Sequence, residues 1–358
     1  DAEKFYRFFL NSKIIETDYP LVYMNFGVLL ADLRNLDESE KFLKKAIDIR
    51  PDFAEAHFNL GNTLKLQGKL DEAVLSFKDS IKFKSNYSDG YNNLGTTLLD
   101  KACVEEAEIY FQKAIKLNPN NTNTCWNLSI ISKNIIEAEY WIDRIIQSDS
   151  QHIKSKLIKS ILRFYQGDKS FFDIIMQSNL KDHYYMRSFL WISSLETLPK
   201  LFFSRWSFYD EVLRYSNISR PFYEFGVWRG ESFKYFIEYF NTGYGFDTFE
   251  GLPNDWYRSD GSIMEKSGTY SANNNIPNIK GGEFIVGNFD DTLPKFFSEP
   301  RPIASIVNYD ADLYSSTICA LNYSKPVIDK DTILIFDELI AYEGWENDEF
   351  KALKEFTD

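Results

Sequence analysis

Asn25-Phe26-Gly27 recurs as Asn59-Leu60-Gly61 and again as Asn93-Leu94-Gly95, each step 34 residues long. Small residues at Ala46, Ser80 and Ala114 keep the same period, and so do large apolar ones at Leu43, Phe77 and Phe111. Pro51 and Pro119 close two of the units, with Ser85 at that place in the middle one. A period of this length restricts the fold severely. One unit cannot bury its own apolar face, so copies must stack, each as a helix pair with small residues where the helices touch. Three units in register cover residues 19–121.

This pattern resembles the tetratricopeptide repeat, and it predicts an all-α solenoid over residues 1–178 with degenerate ends. Asp1 to Thr17 reads as the second helix of an earlier repeat, with Phe9 and Ser12 in register. Asn127 opens a fourth unit whose second helix, Glu137 to Ile146, comes three residues early. Lys154 to Ile175, with a turn at Gln166-Gly167-Asp168, reads as a fifth unit. Asn25, Asn59, Asn93 and Asn127 form a ladder that resembles the asparagines of the O-GlcNAc transferase repeat domain, which grip an extended peptide. An amide both donates and accepts, so it pairs with any peptide group. A peptide or protein partner on this face is one reading; hydrogen bonds between repeats, or plain exposure, is the other.

Charge and cysteine usage narrow the remaining classes. A net charge of −13 lacks the clustered basic residues that nucleic acid requires. No apolar run reaches the length of a membrane span. Cys103, Cys125 and Cys319 show no metal-ligand spacing and read as thiols in a reducing, cytoplasmic compartment. Residues 179–219 form an aromatic-rich connector, with a helix expected over Ser204 to Tyr215 and a structural role for His183.

From residue 220 the pattern changes to short apolar runs separated by helical ones. The strands expected are Pro221 to Phe225, Gly243 to Phe246, Phe284 to Val286, Ile303 to Val307 and Thr332 to Phe336. Helices are expected at Ser232 to Phe240, Leu293 to Phe297 and Thr317 to Val327. Alternation of this kind implies a parallel, Rossmann-like α/β sheet, with ligands at the carboxyl ends of its strands. Acids stand at those ends: Glu224, Asp247, Asp290 and Asp291, Asp310 and Asp312, Asp337 and Glu338. Gly226 and Gly230 let backbone approach a ligand at a helix N-terminus. Asp247 lies 21 residues past Gly226, where an acid accepts from ribose hydroxyls. The spacing E-x-G-x-x-x-G fits a dinucleotide fingerprint poorly.

Glu224–Gly230 (EFGVWRG), Tyr244–Pro253 (YGFDTFEGLP), Gly287–Pro294 (GNFDDTLP), Asp310–Thr317 (DADLYSST) and Asp337-Glu338 together resemble the macrocin O-methyltransferase family. These are class I S-adenosylmethionine-dependent enzymes. The resemblance covers about residues 220–350. It implies that Glu224, Gly226, Gly230 and Ser232 hold the methionine part of S-adenosylmethionine. It implies too that Asp247 takes the ribose and that Asn288 and Phe289 border the adenine. It further implies a divalent cation, Mg²⁺, on Asp310, Asp337 and Glu338, with Asp310 as catalytic base; Glu338 departs from the Asp-Asp of many relatives. Trp228 is expected to pack, and Arg229 to pair with the cofactor or face water. Asn254 to Gly282 carries no strand pattern and is expected to form a lid, where Trp256, Tyr257 and Tyr270 stack on a sugar or anchor the loop. Class I enzymes add two further strands, so the expectation is a fragment with residues missing at both ends. The function implied is O-methylation of a sugar or other small or glycan acceptor. The alternative is an interaction scaffold whose α/β domain binds cofactor without turnover.

Overall fold

The computed structural model describes residues 19–258 and 260–358, together with Lys4. The helix expected over Asp1 to Thr17, with Phe9 and Ser12, lies outside the described residues. The chain divides into two compact units, residues 1–152 and 153–358.

The first unit is a stack of antiparallel helix pairs: α1 (Pro20–Asp32) with α2 (Leu36–Ile49), α3 (Ala54–Leu66) with α4 (Leu70–Phe83), α5 (Ser88–Asp100) with α6 (Val104–Leu117), and α7 (Thr122–Ser129) with α8 (Ile135–Ser148). The period follows from one contact. A methyl group on Gly61 would lie 2.7 Å from the Phe77 ring, and one on Gly95 2.6 Å from the Phe111 ring. The small residue and the fully buried aromatic are two halves of one close approach, so they recur together. The second helix of the fourth pair does start three residues early, because α7 is shorter than its counterparts.

The asparagine ladder is drawn largely into the array. Asn127 Nδ2 donates to Asn92 Oδ1 at 2.9 Å, Asn92 Nδ2 to Asn93 Oδ1 at 3.3 Å, and Asn93 Nδ2 to Asn62 Oδ1 at 2.8 Å. Thr124 adds a hydroxyl bond to Asn92 Oδ1 at 3.1 Å. Asn93 and Asn127 therefore link neighbouring repeats. Asn25 is exposed, and Asn59 is half-buried.

The pair read as a fifth repeat, α9 (Ile153–Tyr165) and α10 (Ser170–Met176), belongs to the second unit, so the compact break comes well before residue 178. Its partner is α11 (Tyr184–Ser193), whose Phe189 meets Phe164 edge-on at 5.0 Å. His183 Nδ1 caps α11 by accepting from Tyr185 N, which is the structural role expected. The connector helix α12 (Arg205–Tyr215) is capped by Ser204.

Among the described residues the strands that follow are β1 (Phe222–Phe225), β2 (Gly243–Asp247), β3 (Trp256–Tyr257), β4 (Ile263–Glu265), β5 (Gly282–Val286), β6 (Ile306–Tyr309) and β7 (Ile333–Phe336). Five make a wholly parallel sheet in the order β5-β2-β1-β6-β7, so the direction of winding reverses between β1 and β6. That reversal is the switch point where such sheets open a crevice. Helices α13 (Glu231–Ile237), α14 (Phe289–Phe296), α15 (Tyr314–Ser324) and α16 (Glu349–Thr357) accompany the strands. Phe222 packs on Phe233 and Phe236 of α13, while Tyr223, Phe225, Phe246 and Tyr309 build the core that holds Leu293 and Phe296 of α14.

Two expectations are corrected. Strand β6 lies at Ile306–Tyr309 rather than Ile303 to Val307, because pairing with β1 sets Phe222 opposite Ile306. Asp310 therefore follows the strand directly. The supposed strandless lid holds a small antiparallel hairpin, β3 with β4.

Candidate active site

A cleft opens at the switch point, at the carboxyl ends of β1, β2, β6 and β7. One wall is the glycine turn after β1. Gly226 has φ +89°, and a methyl group there would lie 1.7 Å from the Asp310 carbonyl oxygen. The glycine lets the ends of β1 and β6 close on each other. Asp247 ties this turn down. Its Oδ2 accepts from Val227 N and Trp228 N, both at 2.7 Å, and Oδ1 accepts from Phe249 N at 2.7 Å. Asp247 lines the cleft where the ribose acid was expected, but most of its accepting capacity is spent on backbone, leaving Oδ1 the freer oxygen. Trp228, expected to pack, is instead 41% exposed, lines the cleft, and sits at φ +50°. Asn288 and Phe289 also line it, Asn288 at the N-cap of α14. Asp290 and Asp291 occupy the first turn of that helix, where they complement its dipole.

The opposite wall is acidic. Asp310, Asp312, Asp337 and Glu338 converge there. Burial and then the Asp337 charge hold the Asp310 carboxyl well above the usual carboxylate range. Burial and the Glu338 charge push Asp312 up to about 8, and burial with Asp337 pushes Glu338 up to about 7. Among the described residues, Arg205 brings a cation to this wall: from α12 it donates from Nη2 to Asp337 Oδ2 at 2.5 Å. Behind it the fully buried Glu349 bridges the two acidic loops, accepting from Ala311 N at 3.4 Å and Glu338 N at 3.3 Å.

Three of the expected cofactor residues stand apart from the cleft lining. Glu224 is fully buried on β1, directly opposite Asn308 of β6, whose Nδ2 donates to Glu224 Oε1 at 2.8 Å. Ser232 hydrogen-bonds the same carboxyl, which burial raises to about 7. Glu224 Oε2 and Asn308 Oδ1 are buried without a partner. Gly230, at φ +78°, lies under Pro277 and Ile279 of the lid.

The lid is fastened to the loop after β2. Leu252 N donates to Thr269 O at 2.8 Å and Gly268 N to Leu252 O at 2.9 Å, while Phe249 O accepts from Ala272 N and Asn274 N, both at 3.1 Å. Tyr270 is thereby held in the cleft, edge-on to Trp228 at 6.1 Å. Trp256 anchors instead: it is buried, and its Nε1 donates to Asp348 at 2.9 Å. Tyr257 is exposed outside the cleft lining.

A glycine turn stands at the switch point, with Asn288 and Phe289 lining the cleft beside it. The metal reading fits poorly. Asp310, Asp337 and Glu338 share a wall, but Asp337 is engaged by Arg205, and among the described residues no three His, Cys, Asp or Glu side chains are grouped to hold a metal ion. Sequence reasoning missed Arg205, Asn308 and Glu349. The first lies in the connector, Asn308 lies one residue past the strand expected at Ile303 to Val307, and Glu349 lies in a stretch that carried no site motif.

Profiles of the tetratricopeptide repeat match residues 21–53, 42–74 and 88–121. The first unit is thus an array of these repeats. No curated protein matches the chain. Similar solved structures include YrrB, described as a TPR protein with an unusual peptide-binding site, at 20% identity and TM-score 0.42, covering 55% of this chain and 99% of that one. Pseudomonas aeruginosa pilF is similar at 20% identity and TM-score 0.40, covering 44% and 75%. MamA is similar at 18% identity and TM-score 0.39, covering 46% and 93%.

Proposed function

We propose that the second unit transfers a methyl group from S-adenosylmethionine to a hydroxyl of a small or glycan acceptor, and that the repeat array recruits or presents that acceptor through protein contacts. The observation that carries the reading is the cleft itself. A parallel doubly wound sheet puts a glycine turn and Asp247 on one side of its switch point and four carboxyls on the other.

S-adenosylmethionine, when bound, supplies a methyl group on an electrophilic sulfonium. Gly226, Asn288 and Phe289 would border it, with the free lone pair of Asp247 Oδ1 for a ribose hydroxyl. Glu224, buried behind the cleft lining and bonded to Asn308, would hold β1 and β6 together beneath the cofactor. A hydroxyl is a weak nucleophile near neutral pH, so a group must take its proton. Glu338, which lines the cleft and is pushed up to about 7 by burial and the Asp337 charge, is the candidate for that task. Asp310, expected as the base, lines the same cleft, its carboxyl raised above the usual range by burial and then the Asp337 charge. Trp228 and Tyr270 offer aromatic surface to an acceptor ring at the mouth.

Isothermal titration with S-adenosylmethionine tests the reading directly. Binding is expected, and cofactor at a hundred times its Kd raises stability by about 2.7 kcal/mol. Glu338→Gln and Asp310→Asn are expected to lose turnover while keeping the cofactor. Full activity in both variants rejects the acid roles, and failure of the wild-type chain to bind cofactor rejects methyl transfer. In that event the repeat array supports the scaffold reading.

A further inference from the structure

The acidic wall needs positive charge and needs its two loops held together. In the resembled enzymes a divalent ion meets both needs. Here two side chains meet them. We propose that the Arg205 guanidinium is the resident cation of this wall and that Glu349 is its cross-link, so that the cleft works without a divalent metal. The consequence for catalysis rests on the methyl-transfer reading; the claim about the cation does not.

Among the described residues that line the cleft, Arg205 is basic and stands among carboxylates at Asp310, Asp312, Asp337 and Glu338. Its bond to Asp337 Oδ2, at 2.5 Å, takes a carboxylate oxygen that a metal would require. Its charge also reaches Asp310 and Glu224. The position is fixed by the fold. Arg205 opens α12, and the same helix buries Trp206, Tyr209 and Val212, with Tyr209 on Phe236 of α13 at 4.6 Å. Tyr235 of α13 adds a hydroxyl bond to Asp210 at 2.6 Å. The backbone that carries the guanidinium therefore cannot swing away without opening an aromatic cluster. Glu349 already joins the loops after β6 and β7 by accepting from Ala311 N and Glu338 N. A guanidinium is permanently charged and forms directed bonds to carboxylates, so it is suited to a fixed electrostatic role. Unlike a metal ion it cannot coordinate a hydroxyl oxygen; it can only donate N–H bonds to it or orient it through the carboxyls it holds.

The test is a Mn²⁺ titration of the full chain without cofactor, followed by electron paramagnetic resonance, on the wild type, Arg205→Met and Asp337→Asn. The wild type is expected to show no saturable site at micromolar Mn²⁺. Arg205→Met, with the wall freed, is expected to bind Mn²⁺ at least about tenfold more tightly than the wild type. A stoichiometric micromolar site in the wild type that Asp337→Asn removes overturns the proposal, and so does a folded Arg205→Met with no gain. If Arg205→Met fails to fold by circular dichroism, the wild-type titration decides alone. In parallel, cofactor affinity is measured in EDTA and in Mg²⁺. Equal affinities support the proposal, and affinity found only with Mg²⁺ overturns it. Absence of cofactor binding in both buffers sinks methyl transfer and leaves the Mn²⁺ result to judge Arg205.

Discussion

Gly226→Ala and Gly167→Ala form a matched pair. Both glycines belong to the second unit and both have φ +89°. A new methyl group at Gly167 meets nothing within 4 Å, while at Gly226 it lies 1.7 Å from the Asp310 carbonyl oxygen. The backbone penalty is common to the two, about 1–2 kcal/mol for an alanine in a left-handed conformation. The clash is particular to Gly226. A carbon and a carbonyl oxygen need about 3.3 Å, so the ends of β1 and β6 must part by roughly 1.5 Å. One hydrogen bond joins those ends, Asp310 N to Phe225 O at 2.8 Å, and a second, Gly226 N to Phe246 O at 2.9 Å, ties the displaced turn to β2, so both are strained when Gly226 moves. Losing them costs about 1 kcal/mol each. Gly226→Ala is thus expected to lose about 3–4 kcal/mol and Gly167→Ala about 1–2 kcal/mol. Urea unfolding of the second unit, followed by tryptophan fluorescence, reads the difference. Equal losses would refute the claim that this glycine exists to let the two strand ends meet.

Other outcomes follow from the same contacts. Gly95→Ala drives a methyl group to 2.6 Å from the buried Phe111 ring and is expected to destabilise the repeat array by about 1–3 kcal/mol, read as the helical unfolding transition. Asn92→Ala removes the acceptor shared by Thr124 and Asn127, with an expected loss of about 1–3 kcal/mol in the same assay; an unchanged midpoint would show that the amide relay bears no load. Glu224 is an acid whose folded pKa, about 7, stands above its ordinary value of 4.5 because of burial. The folded state therefore binds the extra proton between these values, and stability is full below 4.5 and falls as pH rises through 7. Glu224→Gln is expected to flatten that part of the pH profile, and an unaltered slope would assign it to other groups.

What the sequence made legible was set by how local the determinants are. The 34-residue period was readable because each Gly–aromatic contact repeats at fixed spacing. The parallel sheet was readable because its strands are short apolar runs between helices. Strand β6 was misplaced because Ile303 and Ala304 continue its apolar run, and only the pairing of Phe222 with Ile306 sets the register. The asparagine ladder was legible as a ladder but not as a relay, since Asn62 and Asn92 lie off the fourfold set and supply the bonds between units.

Arg205 shows the limit most sharply, because its partner Asp337 lies 132 residues away and its own segment carries no motif. A pattern of acids at strand ends looks the same whether a metal or a guanidinium neutralises it. The difference lies in a helix outside the sheet, whose aromatic face fixes one long side chain over the cleft. The reach of that helix can be tested apart from its charge. Tyr209→Ala truncates the ring that packs at 4.6 Å from Phe236 and leaves Arg205 intact. If packing of α12 is what holds the guanidinium, this variant loses about 3–5 kcal/mol of stability in the second unit, as truncation of a buried aromatic does. It is also expected to acquire part of the Mn²⁺ affinity of Arg205→Met. Destabilisation without any such gain would mean that the ion pair with Asp337 holds Arg205 in place by itself.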